Sequence, residues 1–339
     1  MAEERPLLQA LADYKYDGYE RYQPGMRFIE SLACWLSQFE PGFERERAYR
    51  LVREQLVFIS RPELEHLVAS SYPDYIRPRL LRRAGEDENI PPYLVGKVKG
   101  SRAFNRRQRG SLFVGLSDGS RTDVLRRSNP IISNEQVLAD YHGLQSRSPG
   151  LLEDLREEID GDKEGKSRFT SLILLDDFSA SGLSYLRMEE SERKGKIAKI
   201  AKEIDGLDLF DEEDLEVMIL LYVATSQALD HIEGELGKLA KELPGTWSVG
   251  KMQGLGDSEV IRKGVDPVLD KLIDEVYDPA INDKHMKKGE GDGRYGFANC
   301  GLPVVLSHNT PNNSLAILWA DTAKVTGLFP RVTRHRENL

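Results

Sequence analysis

Cysteine is nearly absent. Cys34 and Cys300 are the only two in 339 residues, too few for a disulfide framework or a cysteine-rich zinc site. Long apolar runs are missing as well. The longest, at 217–224 and 172–175, fall far short of the roughly 20 residues that cross a bilayer as a helix. Excess positive charge is lacking: 47 Lys and Arg stand against 56 Asp and Glu, a net of −9, which argues against a chain that coats nucleic acid. The first residues, Met1-Ala2-Glu3-Glu4-Arg5-Pro6, do not have the apolar centre of a secretory signal. No membrane role and a cytoplasmic location are therefore expected.

What is present is an ordinary globular composition, long enough for one large or two modest domains. The most informative stretch is Ser171-Leu172-Ile173-Leu174-Leu175-Asp176-Asp177-Phe178-Ser179-Ala180-Ser181-Gly182-Leu183-Ser184. A short apolar run bounded by polar residues suits a strand buried on both faces of a parallel sheet. The carboxylates fall at its C-terminal end, where open α/β sheets place ligands. Two carboxylates can accept from a vicinal diol or hold a hydrated divalent cation. Gly182 permits close backbone approach, and Ser181 and Ser184 add hydroxyls. The loop is expected to lead into a helix at Ser184 whose N-terminus suits a phosphate. A diol near a phosphate describes a ribose 5-phosphate. The competing reading is structural: Asp-Asp as a turn and helix cap.

The remainder frames this stretch. Residues 1–95 read as helical, with Phe28, Ile29, Leu32, Trp35, Leu36 and Phe39 on one face and a capping box at Ser60 and Glu63. Residues 93–98 and 111–116 read as short strands, followed by the turn-rich Ser117-Asp118-Gly119-Ser120-Arg121. That turn could hold pyrophosphate through its backbone N–H groups or be an ordinary connection. Residues 184–204 read as one helix whose Lys194, Lys196, Lys199 and Lys202 form a solvated face. A second buried strand spans 216–225, with a helix to 243 and a further strand at 247–252. Residues 255–290 read as a helical insertion, with His285 a poor site candidate. Near the C-terminus, His308-Asn309-Thr310-Pro311-Asn312-Asn313 lies between two apolar runs and brings donors and acceptors suited to a base or pyrophosphate. Basic residues concentrate between Arg77 and Arg109 and in the tail at 331–339. Such a segment is either a solvated linker or a contact for RNA, DNA or an acidic partner.

The run from Leu172 to Asp177 with Ala180, Ser181, Gly182 and Ser184 resembles the phosphoribosyl-pyrophosphate (PRPP) signature of type I phosphoribosyltransferases; Phe178 and Ser179 depart from it. With the His-Asn-Thr-Pro-Asn-Asn-Ser element at 308–314, the chain resembles PRTase-CE domains, found in bacterial conflict and anti-phage loci, some linked to retrons. The resemblance implies an α/β fold: a parallel-sheet phosphoribosyltransferase-like core at 96–330, an N-terminal helical region at 1–95 and a helical insertion at 255–290. It implies that Asp176 and Asp177 hold the ribose hydroxyls and Mg²⁺, and that Ser179, Ala180, Ser181, Gly182, Leu183 and Ser184 hold the 5′-phosphate. Ser117, Asp118, Gly119, Ser120 and Arg121 would hold the pyrophosphate. His308, with Asn309, Thr310, Asn312 and Asn313, would face the acceptor. A mobile covering loop upstream of the signature would draw on Lys163, Lys166 or Arg168.

Two functions follow from different classes. One is an enzyme transferring or hydrolysing at the ribosyl anomeric carbon, an effector of anti-phage defence acting on nucleotides. The other is a PRPP- or nucleotide-sensing module, or a nucleic-acid-associated subunit, that regulates a defence-system partner. Either could oligomerise.

Overall fold

The computed structural model describes residues 3–22, 27–189, 192–282, 286, 293–322 and 325–331. Nine strands run through these residues in chain order: β1 (Val57–Ile59), β2 (Ser111–Gly115), β3 (Val137–Leu138), β4 (Ser171–Ser179), β5 (Arg187–Glu189), β6 (Glu192–Lys194), β7 (Glu216–Thr225), β8 (Thr246–Leu255) and β9 (Val304–Leu306). The chain divides into two units. One combines Met1–Leu64 with Gly256–Leu339, and the other is the continuous segment Glu65–Leu255.

In the continuous unit, five strands form a sheet of order β3-β2-β4-β7-β8 with every neighbouring pair parallel. The unbroken apolar runs explain the centre. Leu172, Ile173, Leu174 and Leu175 on β4, and their neighbours on β7, are buried on both faces, each side chain contributing about 1.5–3 kcal/mol. One face is covered by the Leu144–Asp160, Lys196–Ile204 and Ser226–Leu239 helices through Leu155, Ile197, Ile200, Ile232 and Leu236. The other face meets the helices of residues 65–109, with the Tyr72 ring 6.3 Å from that of Phe113. The chain adds β3 outside β2, then crosses to β4 on the opposite side. Strand order therefore reverses between β2 and β4, the position where such sheets open a crevice for ligands.

Two expected elements differ. Residues 93–98 do not form a strand: Val95–Lys99 is a helix in which Val98 alone is buried. The helix expected from Ser184 is replaced by an antiparallel pair, β5 with β6, joining Arg187 to Lys194 in register. The helix begins only at Lys196. Gly195 explains the break, at φ +128° and with a Cβ there overlapping the Tyr185 carbonyl.

In the other unit, β1 and β9 pair in parallel over a core of Phe28, Leu32, Trp35, Leu36, Phe58 and Phe329. The Ser60–Glu63 capping box is present, with the Ser60 backbone N–H donating to Glu63 at 2.8 Å. The expected insertion at 255–290 contributes the Pro267–Val276 helix, whose Leu269, Leu272, Ile273 and Val276 join that core. The boundary expected near residue 95 falls inside the continuous unit. Of the basic tail only Arg331 is described, and His285 lies outside the described residues. Among the described residues no helix is long and apolar enough to cross a membrane.

Candidate functional site

The C-terminal ends of β2 and β4 bring the Ser117–Arg121 turn and the paired aspartates together. Ser117 Oγ donates to Asp176 Oδ1 at 2.5 Å and lies 3.4 Å from Asp177 Oδ1. Gly119 faces Asp177 so closely that a Cβ would overlap the carboxylate. Ser120 locks the turn to the sheet. Its hydroxyl donates to the Leu175 carbonyl at 2.6 Å and accepts from the N–H groups of Leu116 and Ser117, each at 3.0 Å. Tyr222 on β7 donates to the Ser120 carbonyl at 2.7 Å. Arg121 holds the left-handed conformation, φ 44° and ψ 47°, which is costly for a residue with a Cβ.

The two aspartates have opposite surroundings. Asp177 is half-buried, while Asp176 is wholly buried and takes hydrogen bonds from the Tyr185 hydroxyl and the Lys196 ammonium on one oxygen. Burial pushes the Asp176 carboxyl above its ordinary range, with Lys196 pulling it back and Asp177 adding to the rise. Burial and then Asp176 push the Tyr185 hydroxyl well above its ordinary value. The expectation that both carboxylates face a ribose therefore changes: Asp176 is an interior anchor, and Asp177 is the carboxylate at the crevice. Asp176 does not fit a magnesium ligand either, because an ammonium already sits on its Oδ2. Among the described residues no three His, Cys, Asp or Glu side chains converge as a metal cage. Asp177 alone fits the one-carboxylate mode in which Mg²⁺ keeps its waters and a substrate's phosphates.

The loop after β4 is tied down from within. Ser179, Ala180 and Ser181 are buried, and Thr225 Oγ1 donates to the Ala180 carbonyl at 2.5 Å. Gly182 sits at φ +75°, and a Cβ there would lie 2.9 Å from the Ala228 carbonyl. Leu183 is half-buried and Ser184 is exposed. No helix N-terminus follows this loop directly, so the expected phosphate cradle is reduced to the loop's own backbone.

Other expected residues lie elsewhere. Lys163 pairs with Glu153 and Glu157, and Arg168 with Asp208. The loop that carries Lys163, Lys166 and Arg168 leads into the N-terminal end of β4, opposite the carboxylates. His308, Asn309, Thr310, Asn312 and Asn313 belong to the other unit. There Thr310 donates to the Phe329 carbonyl at 2.9 Å, and Asn313 donates to the Phe297 carbonyl and to Cys300 Sγ.

Part of the basic segment is paired internally. Arg107 bridges Asp87 and Asp214, at 2.8 and 3.0 Å, Arg83 reaches Asp214 at 2.6 Å, and Arg109 reaches Glu158 at 2.5 Å. Arg102 and Arg106 line a cavity of about 600 Å³ with Lys166, Asp160, Asp211 and Asp214, a mixture of signs without a single polarity.

Sequence reasoning missed Tyr185, Lys196, Tyr222 and Thr225. By spacing alone Lys196 falls on a solvated face. The signal that separates it is local: it follows Gly195 and opens its helix, where a cation is unfavourable unless a carboxylate meets it.

No curated protein and no solved structure matches the chain. A family model, PRTase-CE, matches residues 32–331. With its five-stranded parallel sheet and the carboxylate-bearing strand at the reversal point, this chain belongs to the PRTase-CE family and is phosphoribosyltransferase-like.

Proposed function

We propose that the continuous unit binds a ribosyl phosphate, with PRPP the best-fitting ligand, in the crevice between β2 and β4. The observation that carries this reading is the close approach of the Ser117–Arg121 turn to Asp177 at the strand-order reversal. Asp177 would accept from the ribose hydroxyls. Backbone N–H groups of the 117–121 turn would take the diphosphate, and those of 180–184 the 5′-phosphate. Asp176 would act through Ser117, holding its hydroxyl in place. Magnesium would enter with the diphosphate, take one carboxylate from Asp177, and neutralise charge on the leaving pyrophosphate. Bond cleavage at the anomeric carbon builds positive charge on the ribosyl ring. Positioning and electrostatics rather than a general base would then govern the rate.

The role that fits such a protein is an effector of bacterial anti-phage defence acting on nucleotide pools, with a defence-system protein as partner. A second reading, ligand sensing without turnover, is favoured by one feature: Asp176 is committed to Lys196 and Tyr185, which leaves a single carboxylate at the crevice. Calorimetric titration with Mg²⁺-PRPP, coupled to pyrophosphate release, separates the two. Asp177→Asn removes charge while keeping shape. Binding that survives this substitution unchanged sinks the site assignment, and binding without pyrophosphate release selects the sensing module.

A further inference from the structure

We propose, resting on the ribosyl-phosphate reading of the crevice, that His231 is a positioning residue for recognition of the ribose 5′-phosphate. Its hold on the Leu186 carbonyl keeps the 180–186 loop in an arrangement whose spare backbone groups are donors.

One face of the Ser226–Leu239 helix makes the attachment. Its cap Thr225, Ala228 and His231 are spaced three apart and so share that face. Each of them meets the loop. Thr225 Oγ1 donates to the Ala180 carbonyl. A Cβ at Gly182 would lie 2.9 Å from the Ala228 carbonyl and equally 2.9 Å from His231 Cδ2. The imidazole therefore packs on a position with no room for a side chain, and φ there is +75°. His231 Nε2 lies 2.7 Å from the Leu186 carbonyl. A carbonyl can only accept, so Nε2 carries the proton and donates, whether the ring is neutral or charged.

The loop that results has its acceptors occupied. The Gly182 carbonyl accepts from the N–H groups of Tyr185 and Leu186 at 2.9 and 3.4 Å. The Leu183 carbonyl accepts from Arg187 Nη1 at 3.4 Å. The carbonyls of Ser184 and Tyr185 accept from the N–H groups of Lys196 and Ile197, each at 3.0 Å. With Thr225 on Ala180 and His231 on Leu186, both ends of this set are closed by side chains of one helix face. The N–H groups of Gly182 and Ser184, by contrast, have no hydrogen bond among the described residues. Spare backbone N–H groups in a loop whose carbonyls are engaged elsewhere suit an anion. Leu186 is fully buried, so water cannot take over the His231 bond unless the loop moves. Without His231 the turn from Gly182 to Leu186 loses its outer fastening, and the two donors lose their fixed places.

The test is calorimetric titration of the full chain with ribose 5-phosphate and, separately, with Mg²⁺-pyrophosphate. Wild type is expected to bind both. His231→Leu removes the donor and should weaken ribose 5-phosphate binding by about tenfold or more. Mg²⁺-pyrophosphate, which falls to the 117–121 turn, should bind that variant within about twofold of wild type. His231→Gln brings an amide N–H near the place of Nε2 and should recover most of the lost affinity. Hydrogen exchange of wild type needs no variant: peptides covering 180–186 should exchange more slowly with ribose 5-phosphate bound. Unchanged ribose 5-phosphate affinity in His231→Leu overturns the proposal, as does equal loss of both ligands or no recovery in His231→Gln. Exchange of 180–186 that ignores bound ribose 5-phosphate overturns it too. No ribose 5-phosphate binding by wild type up to about 10 mM fails the ribosyl-phosphate reading itself, and the role of His231 falls with it.

Discussion

Adjacent residues on a strand point to opposite faces, and Asp176 and Asp177 show what that does to a pair of like charges. Asp176 turns inward and is matched by Lys196, Tyr185 and Ser117, while Asp177 stays at the crevice beside Gly119. Lys196→Met would leave a buried carboxylate with no counter-charge and should cost on the order of 2 kcal/mol or more at neutral pH. The pH dependence carries the sign. A carboxyl raised in the folded state contributes stability below its unfolded value, near 3.8, and loses that contribution as pH climbs through its folded value. Lys196 is the main influence holding the folded value down, so the variant should lose stability over a wider range toward neutral pH. Urea unfolding from pH 4 to pH 8 checks this; parallel curves for wild type and variant would contradict it. Gly119→Ala tests the crevice itself. Its Cβ must displace the Asp177 carboxylate, so PRPP affinity should fall by about tenfold or more while the circular-dichroism melt stays near wild type.

Among elements, the strands announced themselves and the connections did not. β4 and β7 are continuous apolar runs, because a strand covered on both faces has no polar side to show. The stretch after Ser184 looked helical because Glu and Lys are strong helix formers. Gly195 and the pairing of β5 with β6 overruled that propensity, and this decision moved Lys196 from a solvated face to a half-buried place on the Asp176 carboxylate. Thr225 links two elements: it caps the Ser226–Leu239 helix by accepting from the Ala228 N–H at 3.0 Å, and it donates to the Ala180 carbonyl. Thr225→Ala should cost about 1–3 kcal/mol, the lost cap plus an unsatisfied carbonyl. Hydrogen exchange should show the 180–184 loop opening more readily, and an unchanged loop would disprove the linkage.

Among the described residues each unit holds a hydrophobic core of its own. The core of the discontinuous unit draws on both of its segments, and β1 pairs with β9. A fragment of residues 61–255 is therefore expected to unfold cooperatively on its own. A fragment of residues 1–60 should remain unfolded, because its apolar faces lack the Pro267–Val276 helix and Phe329. Circular dichroism with thermal melts on both fragments decides this. The internal pairing of Arg83, Arg107 and Arg109 also bears on partners. Oligonucleotide binding at about 150 mM salt should be weak, since these three arginines are already neutralised and release few counterions. Tight, salt-sensitive binding would restore the nucleic-acid reading.

By itself the sequence determined the parallel α/β core, the two central strands and the aspartate pair at a strand end, because burial on both faces writes an apolar run that needs no partner to be read. It determined the N-terminal helices through their spacing and the Ser60–Glu63 cap. Only the tertiary structure decided which aspartate is enclosed and which stays at the crevice, because strand alternation fixes opposite faces but not which face is closed. Only it showed that Arg83, Arg107 and Arg109 of the basic segment pair with distant carboxylates and that residues 256–331 complete a core begun by residues 3–64. These depend on contacts between residues far apart in the chain, which composition and local spacing do not encode.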